Sequence, residues 1–342
     1  MPNAPHPNPL LATSQPPQLR HGALVDPCCC ALSFAGVACG SLGMCGIVGL
    51  FFKRGAATAS LGPLLAGMLS QMRERGPDST GFALYGEDAP QGAFKATLRA
   101  PADEYDWAAF EGELGAVFPL PCPARHYGSH AVFTIAADPE PVFAWLARRH
   151  PGLGVFGFGQ RIEVFKDVGL PDAVAQRFDL AHRAGTHGLG HTRMATESAV
   201  TTEHSHPFAT GADLCLVHNG SLSNHNRLRQ SLRHEGIHFT TDNDTEVAAG
   251  YLTWRMRQGM SLTEALEAAL ADLDGFYTFA VGTRDGFAIL RDPIACKPAV
   301  LAETDEWVAM ATEYRAIATL PGAATAEIWE PHPATVYSWH RQ

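Results

Sequence analysis

The order of strand and helix candidates predicts an α+β fold in which antiparallel sheets carry layers of helix. Three observations support this. Strand candidates stand both before and after the amphipathic helices, and they join through hairpins rather than in strict βαβ alternation. The third is balance: 46% hydrophobic and 18% charged residues over 342 residues suit a globular chain with length for one large domain or two small ones.

The first 43 residues differ from the rest. Pro2, Pro5, Pro7, Pro9, Pro16 and Pro17 crowd the start among Asn, Gln and Ser, a composition typical of disorder. A short apolar run, Ala31 to Gly40, lacks the closely preceding basic segment and the longer apolar core of a secretory signal. Three readings compete for residues 1–43: a mis-assigned start with initiation at Met44, a propeptide removed to expose Cys45, or a retained tail. The first is favoured, because Met44 stands directly before Cys45. Residues 45–342 then form the domain proper.

From Cys45 to Phe52 the chain reads as a strand. Leu61, Leu64, Leu65, Met68, Leu69 and Met72 recur at helical spacing, so residues 60–73 form an amphipathic helix. Arg75 to Gly81 is a turn punctuated by Gly and Pro, and Phe82 to Tyr85 returns as a strand. Residues 88–182 carry no recognisable motif and read as an insertion. They hold helix-like pieces at Tyr105 to Phe118 and Pro141 to Arg149, and strand-like pieces at Ala131 to Ile135 and Gly159 to Phe165. Leu214 to Val217 is a buried strand that ends at His218-Asn219-Gly220. Asn224 to Glu235 and Asp244 to Arg257 are helices, the second with Asp244 as its N-cap. Ser261 to Leu273 is another helix. Phe276 to Val281 and Phe287 to Leu290 form a hairpin, and short strand candidates continue to Trp339.

Composition narrows the function classes. A net charge of −10 with no Lys/Arg cluster argues against a nucleic-acid partner. No apolar run reaches the ~18 residues of a membrane span. Of eight cysteines, Cys28, Cys29, Cys30 and Cys39 precede residue 44, while Cys45, Cys122, Cys215 and Cys296 are scattered without paired spacing. This is neither a disulfide framework nor a zinc ribbon, so a reducing cytoplasm is expected. His187, His191, His204 and His206 tempt a zinc reading, but no cysteine or carboxylate set accompanies them and no metal is expected.

Taken singly, the polar motifs have bland readings. A cysteine heading a buried strand is ordinarily a small hydrophobe. Asn219-Gly220 reads alone as a plain turn, Arg193 as a surface arginine and Asp244 as a helix cap. Their order changes the balance. Cys45-Gly46, then Arg75-Gly76-Pro77-Asp78-Ser79, then His191-Thr192-Arg193, then His218-Asn219-Gly220, then Asp244-Thr245-Glu246 resembles the glutaminase domain of class II glutamine amidotransferases, which are N-terminal-nucleophile hydrolases. The resemblance covers roughly residues 45–86 and 186–320. It implies the four-layer αββα sandwich of that family and a cysteine that is residue one of the mature chain.

What the resemblance implies for chemistry is specific. Cys45 is the nucleophile and its free α-amine the base, with a reference pKa of about 7.7–8.0 that suits proton exchange near neutrality. Gly46 leaves room for backbone and substrate. The Asn219 side-chain amide and the Gly220 N–H form the oxyanion hole. Arg193 grips the α-carboxylate of glutamine with its planar fork, Thr196 adds a hydroxyl, and Asp244 accepts from the α-ammonium. The family often has a tryptophan after the arginine and a histidine after the threonine, where this chain has Met194 and Glu197. Arg291-Asp292-Pro293 and Lys297-Pro298 match a late family segment and read as structural. With no nucleotide fingerprint or synthase half in the sequence, the expectation is an amidotransferase subunit with no cofactor of its own. It would release ammonia from glutamine to a separate, flavin-bearing partner of the glutamate-synthase-like or N-methylglutamate-synthase kind. Another N-terminal-nucleophile amidase, or a silent scaffold if the extension is retained, are the alternatives.

Overall fold

The computed structural model describes residues 45–54, 58, 60–194 and 199–341. The calls on residues 1–43 and on Thr196 and Glu197 lie outside them.

Among the described residues, two large sheets pack face to face. One has seven strands, ordered Glu327–Trp329, Val300–Glu303, Trp307–Ala311, Gly46–Phe52, His187–Arg193, Ser79–Tyr85, Ile162–Val168. The other has five, ordered Thr335–His340, Gly286–Arg291, Gly275–Gly282, Leu214–Leu222, Phe208–Gly211. All the pairings within both are antiparallel. Strand alternation builds the layers. On the Gly46–Phe52 strand, Ile47 and Phe51 turn inward to meet Val217, Ala280, Phe287 and Ile289 of the facing sheet. Val48 and Leu50 turn outward, beneath Leu65, Met68 and Leu69 of the helix Leu61–Gln71. On the Leu214–Leu222 strand, Leu214, Leu216 and Leu222 face the helices Asp244–Arg257 and Leu262–Asp272, while Cys215 and Val217 face the inter-sheet core. The order of layers is helix, sheet, sheet, helix, the αββα arrangement that the family resemblance implied.

The long middle stretch divides in two. A separate four-stranded sheet, ordered Arg125–Tyr127, His130–Ile135, Phe94–Arg99, Gly154–Gly159, has its own apolar core with Trp107, Phe110, Val142 and Leu146. Ile162–Val168 instead joins the seven-stranded sheet as its edge, paired to Ser79–Tyr85. The strand expected over Gly159 to Phe165 begins at Ile162 and runs on to Val168, and Gly159 is instead the last residue of a strand in the four-stranded sheet.

Two further expectations are corrected. The Leu214 strand does not end at His218: pairing with Gly275–Gly282 runs unbroken from Cys215 to Leu222, so His218, Asn219 and Gly220 lie within it. The plain-turn reading of Asn219-Gly220 is thereby excluded. Asp244 is the first residue of its helix and not the cap; Asn243 caps it, its side chain accepting from Thr245 N at 2.8 Å. No described helix is long and apolar enough to cross a membrane.

Candidate active site

Cys45 is the partly buried residue just before its strand. The start of that strand is tied down on both sides. Gly46 pairs with Thr192, and Ile47 N donates to Thr312 Oγ1 at 2.8 Å while Thr312 N donates to Ile47 O at 2.9 Å. A Cβ on Gly46 would stand 2.7 Å from Thr192 Oγ1 and 2.8 Å from Met72 Cβ. The glycine thus serves close packing of strand, neighbouring strand and helix, rather than the space for substrate that the sequence suggested.

Two donors converge on the Cys45 carbonyl: Asn219 Nδ2 at 3.1 Å, from 174 residues away in sequence, and Arg75 Nε at 3.4 Å. Arg75 is itself anchored to Glu313 at 2.5 Å. Gly220 has φ +144°, and a Cβ there would lie 1.9 Å from Phe276 O. No other residue fits this point, where strand backbone passes the site.

Arg193 is buried, which removes the surface-arginine reading. Its strand pairs it with Ser79, its carbonyl accepts from Asp78 N at 3.1 Å, and its Nη1 donates to Ala199 O at 3.2 Å. Burial raises the Cys45 thiol above its ordinary pKa, and the Met194 backbone and the charges of Arg193 and Lys297 offset this only in part. The thiol is therefore protonated at neutral pH and must lose its proton to a base before it can attack.

Among the described residues no histidine is hydrogen-bonded to the Cys45 thiol. His191 Nε2 meets His218 O (3.0 Å) and His206 Nε2 meets Thr245 Oγ1 (3.2 Å), and burial lowers the pKa of both rings, which makes them poor proton acceptors. His187 lies at the far end of the same strand, bonded to Thr283 O, and His204 bonds Asp242. Among the described residues no group of three His, Cys, Asp or Glu is arranged to hold a metal ion.

Asp244 sits where the Leu214 strand leaves the site. Its Oδ2 accepts from Leu222 N at 2.9 Å, and its Oδ1 lies 3.7 Å from His218 Nδ1. Burial alone would raise its pKa, but attraction and hydrogen bonding from His218 and the Leu222 amide outweigh that and hold it at about 2. The carboxylate stays charged throughout the neutral range.

Two residues near the thiol escaped the sequence reading. Arg75 stood in a turn and in one of the ordered motifs but was given no role at the site. Lys297 was read as structural, yet its charge acts on the thiol. The loop that presents it is built by the preceding motif: Asp292 accepts from Ile294 N (2.8 Å) and Ala295 N (3.2 Å), while Arg291 Nε and Thr278 Oγ1 both donate to Lys297 O. A basic residue one position before a proline was the only available signal.

A family described as a glutamine amidotransferase domain matches residues 191–319. The glutamine amidotransferase-like protein GlxB of Rhizobium meliloti (strain 1021) is 55% identical over 300 residues, covering 87% of this chain and 99% of that protein. An amidophosphoribosyltransferase of Archaeoglobus fulgidus is 29% identical over 198 residues, 57% of this chain and 43% of its own. Among solved structures, the glutamine phosphoribosylpyrophosphate amidotransferase of B. subtilis is similar with a TM-score of 0.54 at 20% identity, over 86% of this chain and 47% of that one. This last likeness concerns the fold alone.

Proposed function

This chain belongs to the glutamine amidotransferase family, and from that premise we propose that it hydrolyses the side-chain amide of glutamine with Cys45 as nucleophile, in a form whose first residue is Cys45. The observation that carries the reading is the 3.1 Å hydrogen bond from Asn219 Nδ2 to the Cys45 carbonyl, which sets an amide donor beside the thiol-bearing residue. In the proposed reaction the free α-amine of Cys45 takes the thiol proton. The thiolate then attacks the amide carbon. The second N–H of Asn219 and the Gly220 N–H hold the resulting oxyanion. Collapse expels ammonia, protonated by the α-ammonium, and leaves a thioester. Water, activated by the same amine, releases glutamate. Arg193 takes the substrate carboxylate and Asp244 its ammonium.

Substrate grip and chemistry separate in two substitutions. Arg193→Lys raises the KM for glutamine by about 10-fold or more with a smaller effect on kcat, because a point charge cannot reproduce a bidentate fork. Asn219→Ala lowers kcat by about 10²–10³ with little change in KM. Steady-state glutamate release measures both. If Asn219→Ala changes only thermal stability, Asn219 is a structural strand residue and not an oxyanion donor.

The nitrogen acceptor is proposed to sit on a separate subunit of glutamate-synthase-like, flavin-bearing type, with no cofactor in this chain and a cytoplasmic setting. The match to GlxB over 99% of that relative's length fits a glutaminase unit that works with a separate synthase. Co-purification from the native source followed by glutaminase assay with and without the recovered partner tests this. Full activity of the isolated protein with no recoverable partner makes it a free-standing glutaminase.

A further inference from the structure

The edge of the Leu214–Leu222 strand loses its neighbour part-way along. Pairing with Phe208–Gly211 reaches only from Leu214 to Leu216. Beyond it, at His218, two imidazoles take over the backbone. His191 Nε2 donates to His218 O at 3.0 Å, and His218 N donates to His206 Nδ1 at 3.4 Å. The two rings stack, with centroids 4.0 Å apart and 16° between planes. A carbonyl only accepts, so the proton of His191 is on Nε2; a backbone amide only donates, so the proton of His206 is also on Nε2, directed at Thr245 Oγ1 at 3.2 Å. The Thr245 hydroxyl in turn meets His218 Nδ1 at 3.1 Å and Asp244 Oδ1 at 3.4 Å. Burial, with lesser repulsion from neighbouring positive groups, holds His191 at about 3 and His206 well below its ordinary value, so both rings are neutral.

The carbonyl that His191 holds belongs to the peptide bond leading into Asn219. We infer that His191, with His206 stacked on it, is a positioning residue that fixes the 218–219 peptide and thereby aims the Asn219 amide, taking no proton during the reaction. The route to Asp244 is a separate branch, from His206 through Thr245, and does not pass through the His191 bond, so loss of that bond acts on the Asn219 side. This inference rests on the reading of Asn219 as oxyanion donor given above.

The test is a double-mutant cycle in the glutaminase-active protein, with folding checked by thermal melting. His191→Leu removes the donor at constant bulk and lowers kcat about 10- to 100-fold, while KM for glutamine stays within about twofold. His191→Gln, whose amide nitrogen lies near the Nε2 position, recovers most of that loss. His191→Leu combined with Asn219→Ala is no slower than Asn219→Ala alone, because the donor being aimed is already gone. The inference is overturned by unchanged kcat in His191→Leu, by additive losses in the double variant, or by no rescue in a folded His191→Gln. If His191→Leu does not fold, His206→Gln, which places no acceptor at the Nδ1 position for His218 N–H but keeps an amide donor toward Thr245, replaces it in the cycle, with the same non-additivity expected and additivity again overturning the inference. Failure of the underlying reading looks different: Asn219→Ala itself then leaves kcat intact.

Discussion

Cys45→Ala and Cys45→Ser abolish the release of glutamate from glutamine, by about 10⁴-fold or more, and leave the sandwich folded. The size follows from the absence of a substitute. Removing a nucleophile removes the covalent route altogether, and the remaining oxyanion donors act on nothing. The fold survives because Cys45 precedes its strand and is only partly buried. Its main structural contacts run through its carbonyl, to Asn219 and Arg75, and a substitution keeps that carbonyl. Serine keeps the shape, but its hydroxyl is a far weaker nucleophile than a thiolate at the same position. Selective labelling is the companion measurement. Among the described residues the other free thiols are Cys122 and Cys296, both exposed, and Cys215, buried and pushed far above the ordinary thiol range. A diazoketone analogue of glutamine marks Cys45 ahead of all three. Normal turnover in Cys45→Ala, or label spread evenly over the four, removes the mechanism.

Much of the frame was legible because it rests on local pattern. Helical spacing from Leu61 to Met72 placed the outer helix, and the Gly282 to Gly286 hairpin announced itself by its turn residues. The candidate site could be proposed only from an ordered set of motifs, each ambiguous alone. What could not be read are the long-range partners. Nothing in His218-Asn219-Gly220 says that the strand continues through it, since Gly220 needs a backbone that sequence associates with turns; its pairing with Tyr277 decides the matter. The roles of His191 and His206 are equally hidden, because they complete the backbone of a strand to which neither belongs. Lys297 acts on the thiol through its charge, from a loop whose shape depends on Asp292, and no spacing rule relates position 297 to position 45.

A chain that begins at Cys45 turns over glutamine at least ~10²-fold faster than one that keeps Met44, because positioned general base catalysis contributes about 10²–10⁴. In the 342-residue sequence the nitrogen of Cys45 is an amide nitrogen bonded to Met44 and has no basicity to offer. The thiol beside it is raised by burial and needs a base, and among the described residues no imidazole is hydrogen-bonded to it, while His191 and His206 are weak bases. The pH dependence carries the sign. An α-amine must be unprotonated to accept the thiol proton, so kcat/KM falls as pH drops through its pKa, at about 7.7–8.0 if that value is unperturbed. Asp244 cannot produce that limb, since its carboxylate remains charged down to about 2. Reductive methylation to a tertiary amine or acylation of the terminal nitrogen should move or erase the limb, whereas Asp244→Asn should leave its position unchanged and raise KM. Intact mass of the native protein, read beside these rates, shows whether cells make the Cys45 form. Equal turnover from a chain bearing Met44, or an acid limb indifferent to amine blockade, means that another group activates the thiol.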